Sequence, residues 1–143
     1  MPAPKLKLHH INVCTHDAAA LRDWYRDVLG MTHDTSVTRH RIVAEDALYK
    51  GGVEVVRDEA GEIHIAETDP HLAARAGHSV NPLLRGHIAY RTDDLDAFKR
   101  HLEEQGIPYA DYGHAFSGAW RQIFFHDPTG QVIEVQETND AEF

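Results

Sequence analysis

The chain states one pattern twice. Residues 10–21 read His-Ile-Asn-Val-Cys-Thr-His-Asp-Ala-Ala-Ala-Leu, and residues 87–98 read His-Ile-Ala-Tyr-Arg-Thr-Asp-Asp-Leu-Asp-Ala-Phe. In each copy a histidine opens a strand-like run, an aspartate (Asp17, Asp94) is placed to cap a helix, and an amphipathic stretch follows. The copies also end alike. Residues 63–68, Ile-His-Ile-Ala-Glu-Thr, lie over residues 133–138, Ile-Glu-Val-Gln-Glu-Thr, which sets His64 against Glu134. An internal repeat constrains architecture before any motif does, because each unit must solve the same packing problem.

Patterning within the first copy gives a strand at Leu8–Thr15 and a helix at Ala18–Leu29 stopped by Gly30. A polar strand-like run, Thr32–Val43, follows, with strands at Val53–Val56 and Glu62–Thr68 joined by the turn Asp58-Glu59-Ala60-Gly61. The second copy reads as a strand at Gly86–Arg91, a helix at Asp94–Gln105 ended by Gly106, and a short strand at Pro108–Tyr112. After the looser segment His114–Ala119 come a strand at Arg121–His126, the turn Asp127-Pro128-Thr129-Gly130 and a last strand at Gln131–Glu137. Residues 69–83, with Pro70, Gly77 and Pro82, read as a linker between modules 6–68 and 84–138 of a single domain over 1–143. The acidic end from Asn139 is expected to fray.

Strand geometry alternates side chains between faces, so His10, Asn12 and Cys14 share one face while Ile11 and Val13 point towards the helices. By the same rule His87, Ala89 and Arg91 oppose Ile88 and Tyr90, and Glu134 and His64 each stand between apolar neighbours. Each of His10, His64, His87 and Glu134 is thus a polar member of an apolar alternation, and all four are metal-ligand types. Aligning the copies instead on the turn glycines Gly61 and Gly130 sets Ile65 against Glu134 and makes Glu67 the rival of His64.

Composition narrows the partners. A formal charge of −9 argues against nucleic acid, whose affinity comes from clustered Lys and Arg. No apolar run approaches the roughly 20 residues that span a bilayer, so no membrane partner is expected. The N-terminus lacks the apolar core of a secretory signal, and the single cysteine, Cys14, allows no intrachain disulfide, which fits a cytoplasmic protein.

The run His-Ile-Asn-Val at 10–13, then Asp17, Trp-Tyr-Arg-Asp-Val-Leu-Gly at 24–30 and Asp-Pro-Thr-Gly-Gln-Val-Ile-Glu at 127–134 resembles the vicinal oxygen chelate superfamily. That group contains glyoxalase I, extradiol dioxygenases, fosfomycin-resistance thiol transferases, methylmalonyl-CoA epimerase and the bleomycin-resistance proteins. The resemblance implies an α+β fold of two tandem βαββ(β) modules, forming a curled mixed sheet around a cleft with the helices outside, often in a homodimer. It also implies one divalent metal ion, Fe, Mn, Zn or Ni, held by His10, His87 and Glu134 with His64 at the fourth ligand-bearing position. Two imidazoles and a carboxylate suit such ions and leave positions for two adjacent oxygens of a small-molecule substrate.

Departures from single subfamilies matter as well. Extradiol dioxygenases and fosfomycin-resistance enzymes usually carry a tyrosine where this chain has Phe124, and the glutathione-binding arginine usual in glyoxalase I falls on Cys14. The expected activity is therefore lyase or isomerase chemistry of the glyoxalase type on a small oxygenated metabolite, with Glu134 or the loop residue His114 in acid/base roles. An Fe(II)-dependent dioxygenase and a metal-free binding protein are the alternatives. Arg91, Phe124, Arg121 and Asn12 are the candidate substrate contacts, Arg91 serving equally well in an ion pair. Cys14 reads as a small cavity-lining residue, and Trp24, Tyr25 and Phe98 as helix-face core.

Overall fold

The computed structural model describes residues 2–42 and 45–138, the side chain of His40 excepted. Strand β1 (Lys7–Thr15) leads into helix α1 (Ala18–Leu29), then β2 (Thr32–His33), β3 (Val53–Arg57) and β4 (Glu62–Glu67). A short helix α2 (Leu72–Ala76) precedes β5 (His87–Arg91), α3 (Leu95–Glu104), β6 (Ala110–Gly113), β7 (Trp120–His126) and β8 (Val132–Thr138). The strands form one open sheet of eight, ordered β2-β3-β4-β1-β5-β8-β7-β6. Both long helices start as the sequence requires: Asp17 accepts from the Ala20 N–H at 3.0 Å and Asp94 from the Ala97 N–H at 2.9 Å.

Read from either end the sheet has the same plan. β1 runs parallel to β4 and β5 parallel to β8, and the antiparallel pair β1/β5 joins the two modules. In that pair Asn12 faces His87, His10 faces Ala89 and Ile11 faces Ile88. The repeat equates His10 with His87, so Ile11 and Ile88 lie on the local twofold axis. Asn12 faces His64 across β1/β4, and its counterpart Ala89 faces Glu134 across β5/β8. His64 and Glu134 are therefore equivalent, and the alignment on Gly61 and Gly130 is not the one the ladders use. Glu67 stands opposite Thr15 at the end of its strand.

In the β1/β5 pair the register shifts between Leu8 and His10, where β1 carries one more residue than β5. His9 is the extra residue, and a bulge of this kind interrupts alternation so that neighbouring side chains can reach the same region. His9 and His10 meet through their Nδ1 atoms at 2.7 Å.

Four sequence expectations change. The run from Thr32 forms a strand only over two residues; Asp34 then accepts from the backbone and hydroxyl of Ser36, which turns the chain into a single helical turn at Thr38–His40. Val43 and the segment from Asn139 lie outside the described residues. The linker contains α2, whose Leu72 is fully buried; Gly77, with φ 74°, is the cap of that helix and not a sign of its absence. The outer face is covered unevenly. α1 packs chiefly over β3 and β4 and α3 over β8, so the centre of the outer face is only partly covered and Ile11, expected under a helix, is 48% exposed. Trp24 is likewise 49% exposed and not core, whereas Phe98 is buried and Tyr25 packs beside Val56 and Ile65.

Candidate metal centre

The inner face of the sheet encloses a cavity of about 100 Å³. His10 and Asn12 on β1, His64 on β4, His87 on β5 and Glu134 on β8 all contribute to its wall, as the strand registers require. One donor atom from each of His10, His87 and Glu134 lies within 4.8 Å of the others, and all three residues are buried. Glu134 Oε1 is 3.2 Å from His87 Nε2, and its Oε2 is 4.0 Å from His10 Nε2.

The outer partners fix what these atoms present. His87 Nδ1 is 2.8 Å from the Pro82 carbonyl, which only accepts, so the proton sits on Nδ1 and the Nε2 lone pair faces Glu134. His9 Nε2 lies 3.5 Å from a Glu62 oxygen, which assigns its proton to Nε2 and makes its Nδ1 the acceptor for His10 Nδ1–H. His10 Nε2 is then also a lone pair. Burial, followed by the neighbouring His64 and His87, keeps the His10 imidazole far below its usual pKa, and burial with Arg91 lowers His9 to about 4. Both rings are neutral at pH 7, the form that ligates.

Burial works to raise the Glu134 carboxyl, but the adjacent His87 and the donating amide of Gln136 outweigh it, and the pKa is lowered. Gln122 Nε2 donates to Glu134 Oε1 at 3.1 Å, and Gln136 Nε2 donates to Oε2. Arg91 Nε in turn donates to Gln136 Oε1 at 2.7 Å. Two lone pairs and a carboxylate thus converge in a buried pocket, an arrangement of acceptors that a shared cation satisfies. The residues fit a divalent ion.

His64 is turned differently. Its ring stacks on His10 with centroids 3.5 Å apart, and its Nε2 donates to Glu62 Oε1 at 2.8 Å, leaving Nδ1 unprotonated. Burial works to raise the Glu62 carboxyl, yet this hydrogen bond and the nearby His9 bring it down to about 2. His9, His10 and His64 form a second grouping with metal-ligand spacing, but His9 spends both ring nitrogens on Glu62 and His10.

Other candidates divide. Asn12 and Phe124 line the cavity, the ring of Phe124 standing edge-on to His87 at 5.5 Å. Arg91 supports Gln136 from outside the cavity wall. Arg121 lies off it altogether, paired with Asp96 of α3 and with Glu137, because alternation on β7 turns it to the helix side. His114 is exposed and faces the Ser117 carbonyl at 3.3 Å, outside the wall. Cys14, beside Asn12 with Sγ 3.3 Å from Oδ1, is not in the wall either; burial raises its thiol pKa. Sequence reasoning missed His9, Glu62, Gln122 and Gln136. Period two from His64 and Glu134 points to Glu62, Gln136 and, across the ladder, Gln122; nothing local announces the bulge that brings in His9.

The chain belongs to the Glyoxalase/Bleomycin resistance protein/Dioxygenase superfamily, whose family model matches residues 7–135. It is 29% identical over 133 residues to the uncharacterized protein YaeR of Escherichia coli K12, covering 92% of this chain and 95% of that one. Among solved structures, methylmalonyl-CoA epimerase from Mycobacterium tuberculosis superposes with a TM-score of 0.65 at 23% identity, over 93% of this chain and 88% of the other. The hypothetical protein BH1468 from Bacillus halodurans C-125 does so with a TM-score of 0.68 at 14% identity, over 97% and 99%. These two likenesses show the shared fold. Among the described residues no helix is long and apolar enough to cross a membrane.

Proposed function

We propose that the protein is a metal-dependent enzyme that moves a proton on a small oxygenated metabolite, the lyase or isomerase chemistry of its superfamily. The observation that carries this reading is the convergence of His10 Nε2, His87 Nε2 and the Glu134 carboxylate at the inner wall of one cavity, each held from behind by a protein group. These three residues would hold the ion. A bound divalent ion supplies Lewis-acid polarisation of two adjacent substrate oxygens.

The remaining work falls to side chains. Glu62 occupies Nε2 of His64 and so directs any incoming proton to Nδ1, which makes His64 the base for a carbon-bound proton of a substrate in the cavity. Glu62 then stabilises the imidazolium. Phe124, opposite Glu134 on the neighbouring strand, offers no hydroxyl, so it excludes water and brings no acid of its own. The same His64 nitrogen cannot ligate and accept a proton at once, and the metal content of His64→Ala decides between the two: retention supports the base, loss makes His64 the fourth ligand.

Anaerobic purification with metal quantification, followed by proton NMR of 2-oxo and 2-hydroxy acids in D2O, tests the whole reading. Metal-dependent wash-in of deuterium without oxygen supports it. Iron as the only activating metal with strict oxygen dependence moves the assignment to a dioxygenase, and full ligand binding by metal-free protein moves it to a binding protein. A homodimer accords with the partly uncovered outer face, where Leu8 is 65% and Ile11 48% exposed; sedimentation gives the mass.

A further inference from the structure

The cavity holds three polar groups that the metal centre does not use. Arg41 is the one Arg or Lys in the wall among the described residues. Its guanidinium donates to the Tyr49 carbonyl at 3.3 Å and lies over the Tyr49 ring at 5.2 Å, with no carboxylate paired to it among the described residues. Trp120 Nε1–H, a donor, and Gln122 Oε1, an acceptor, are buried without a hydrogen-bond partner, and both residues line the same cavity. Gln122 cannot turn over to hide the deficit, because its Nε2 is committed to Glu134.

Native proteins seldom leave such groups unmatched, and a site built to hydrogen-bond a ligand is where they occur. Phe116, Leu83 and Val55 make the wall between them apolar, so a charge reaching Arg41 is shielded from water. The setting adds weight. At a formal net charge of −9 the protein repels anions at long range, and a cation in the cavity wall offsets that locally.

Backbone pairing shows how Arg41 is put there. Arg41 forms an antiparallel bridge with Ser117, and the Ile42 N–H donates to the Phe116 carbonyl at 3.1 Å, so this segment of the first module is clasped to a loop of the second. We propose that Arg41 is a specificity-determining residue that takes the anionic end, a carboxylate, of a substrate whose other end lies at His10, His87 and Glu134. Trp120 Nε1–H adds a second donor to that anion, and Gln122 Oε1 accepts from a hydroxyl or N–H nearer the ion. The substrate class is a small hydroxy or oxo acid with a second oxygen function. This inference rests on the metal-centre reading.

Two chelating probes of equal reach test it. Butyrohydroxamate ends in a methyl group and succinomonohydroxamate in a carboxylate, and both report through the visible absorption of Co(II)-loaded protein. The parent should bind the carboxylate probe about tenfold more tightly, the worth of one charge-assisted hydrogen-bonded contact. Arg41→Gln should erase that preference while leaving Co(II) content and butyrohydroxamate affinity unchanged, Arg41→Lys should restore part of it, and Trp120→Phe should lower it severalfold. Equal binding of the two probes by the parent, or an undiminished preference in Arg41→Gln, overturns the role of Arg41 alone. Failure to take up Co(II) overturns the metal reading and this inference with it.

Discussion

The two modules share a plan and differ in how each is finished. In the second, α3 buries Leu95, Phe98 and Leu102 against Ile123 and Val135, and the carboxylate of Glu134 is gripped by two glutamines. In the first, α1 buries only Ala18 completely and leaves Trp24, Val28 and Leu29 exposed, and the equivalent of Glu134 is a histidine leaning on Glu62. One βαββ plan therefore carries, at the same position of its last strand, a carboxylate held by two amides in the second half and an imidazole leaning on a carboxylate in the first. The difference lies in side chains, not in topology.

The largest effect that would break this comparison concerns the metal. Glu134→Ala or His87→Ala should abolish metal retention through gel filtration, read by elemental analysis, whereas His64→Ala keeps it and lowers turnover instead. Equal loss in all three variants would mean that the halves contribute alike.

Next in size is stability. Phe98→Ala should cost about 3–5 kcal/mol in urea unfolding, and Trp24→Ala about 1 kcal/mol or less, because only the first opens a cavity in a closed core. A comparable cost at Trp24 in a chain that sediments as a dimer would show that a second copy completes the first module.

The shell behind Glu134 sharpens the contrast further. Gln136→Leu keeps the shape but removes the donor to Glu134 and the acceptor for Arg91, and metal affinity should fall ten- to a hundredfold, about what such supporting groups contribute. Competition with a fluorescent chelator measures it.

The smallest effect is in pH. His9, at about 4, titrates below its ordinary 6.5 in the folded protein, so the unfolded chain takes up its proton first as pH falls. Stability from this group is complete above 6.5 and is lost between about 6.5 and 4; Glu62, lowered from 4.5 to about 2, extends the loss below 4.5. The melting temperature of metal-stripped protein should fall by a few degrees across the upper window, and His9→Gln should flatten that slope.

How much of this was legible in the sequence follows from the range of the interactions involved. Caps, helix periodicity and strand alternation are local, so Asp17, Gly30, Asp94 and the alternation around His10, His87 and Glu134 could be read directly. The equivalence of His64 and Glu134 needed the ladders to decide between two alignments. The misplaced residues depend on neighbours far along the chain: Arg121 turns to Asp96, Ile11 is bare because the helices sit elsewhere, and His9 joins the site only through a bulge. Arg41 reaches the cavity because its segment pairs with Ser117, a contact no local pattern encodes.

The local twofold through Ile11 and Ile88 bears on how a bound molecule is oriented. Two identical modules joined by that ladder would surround the centre with two equal histidines and two equal partners, and a bound molecule could enter in either of two indistinguishable poses. With both modules in one chain, equivalent positions need not carry the same residue, and those facing inward differ: histidine against glutamate, and Val55 against Phe124 on the strands beside them. A molecule entering this site meets unlike walls on its two sides. An unsymmetrical molecule therefore has two unequal poses here, where an evenly built twofold cleft would offer two of equal energy.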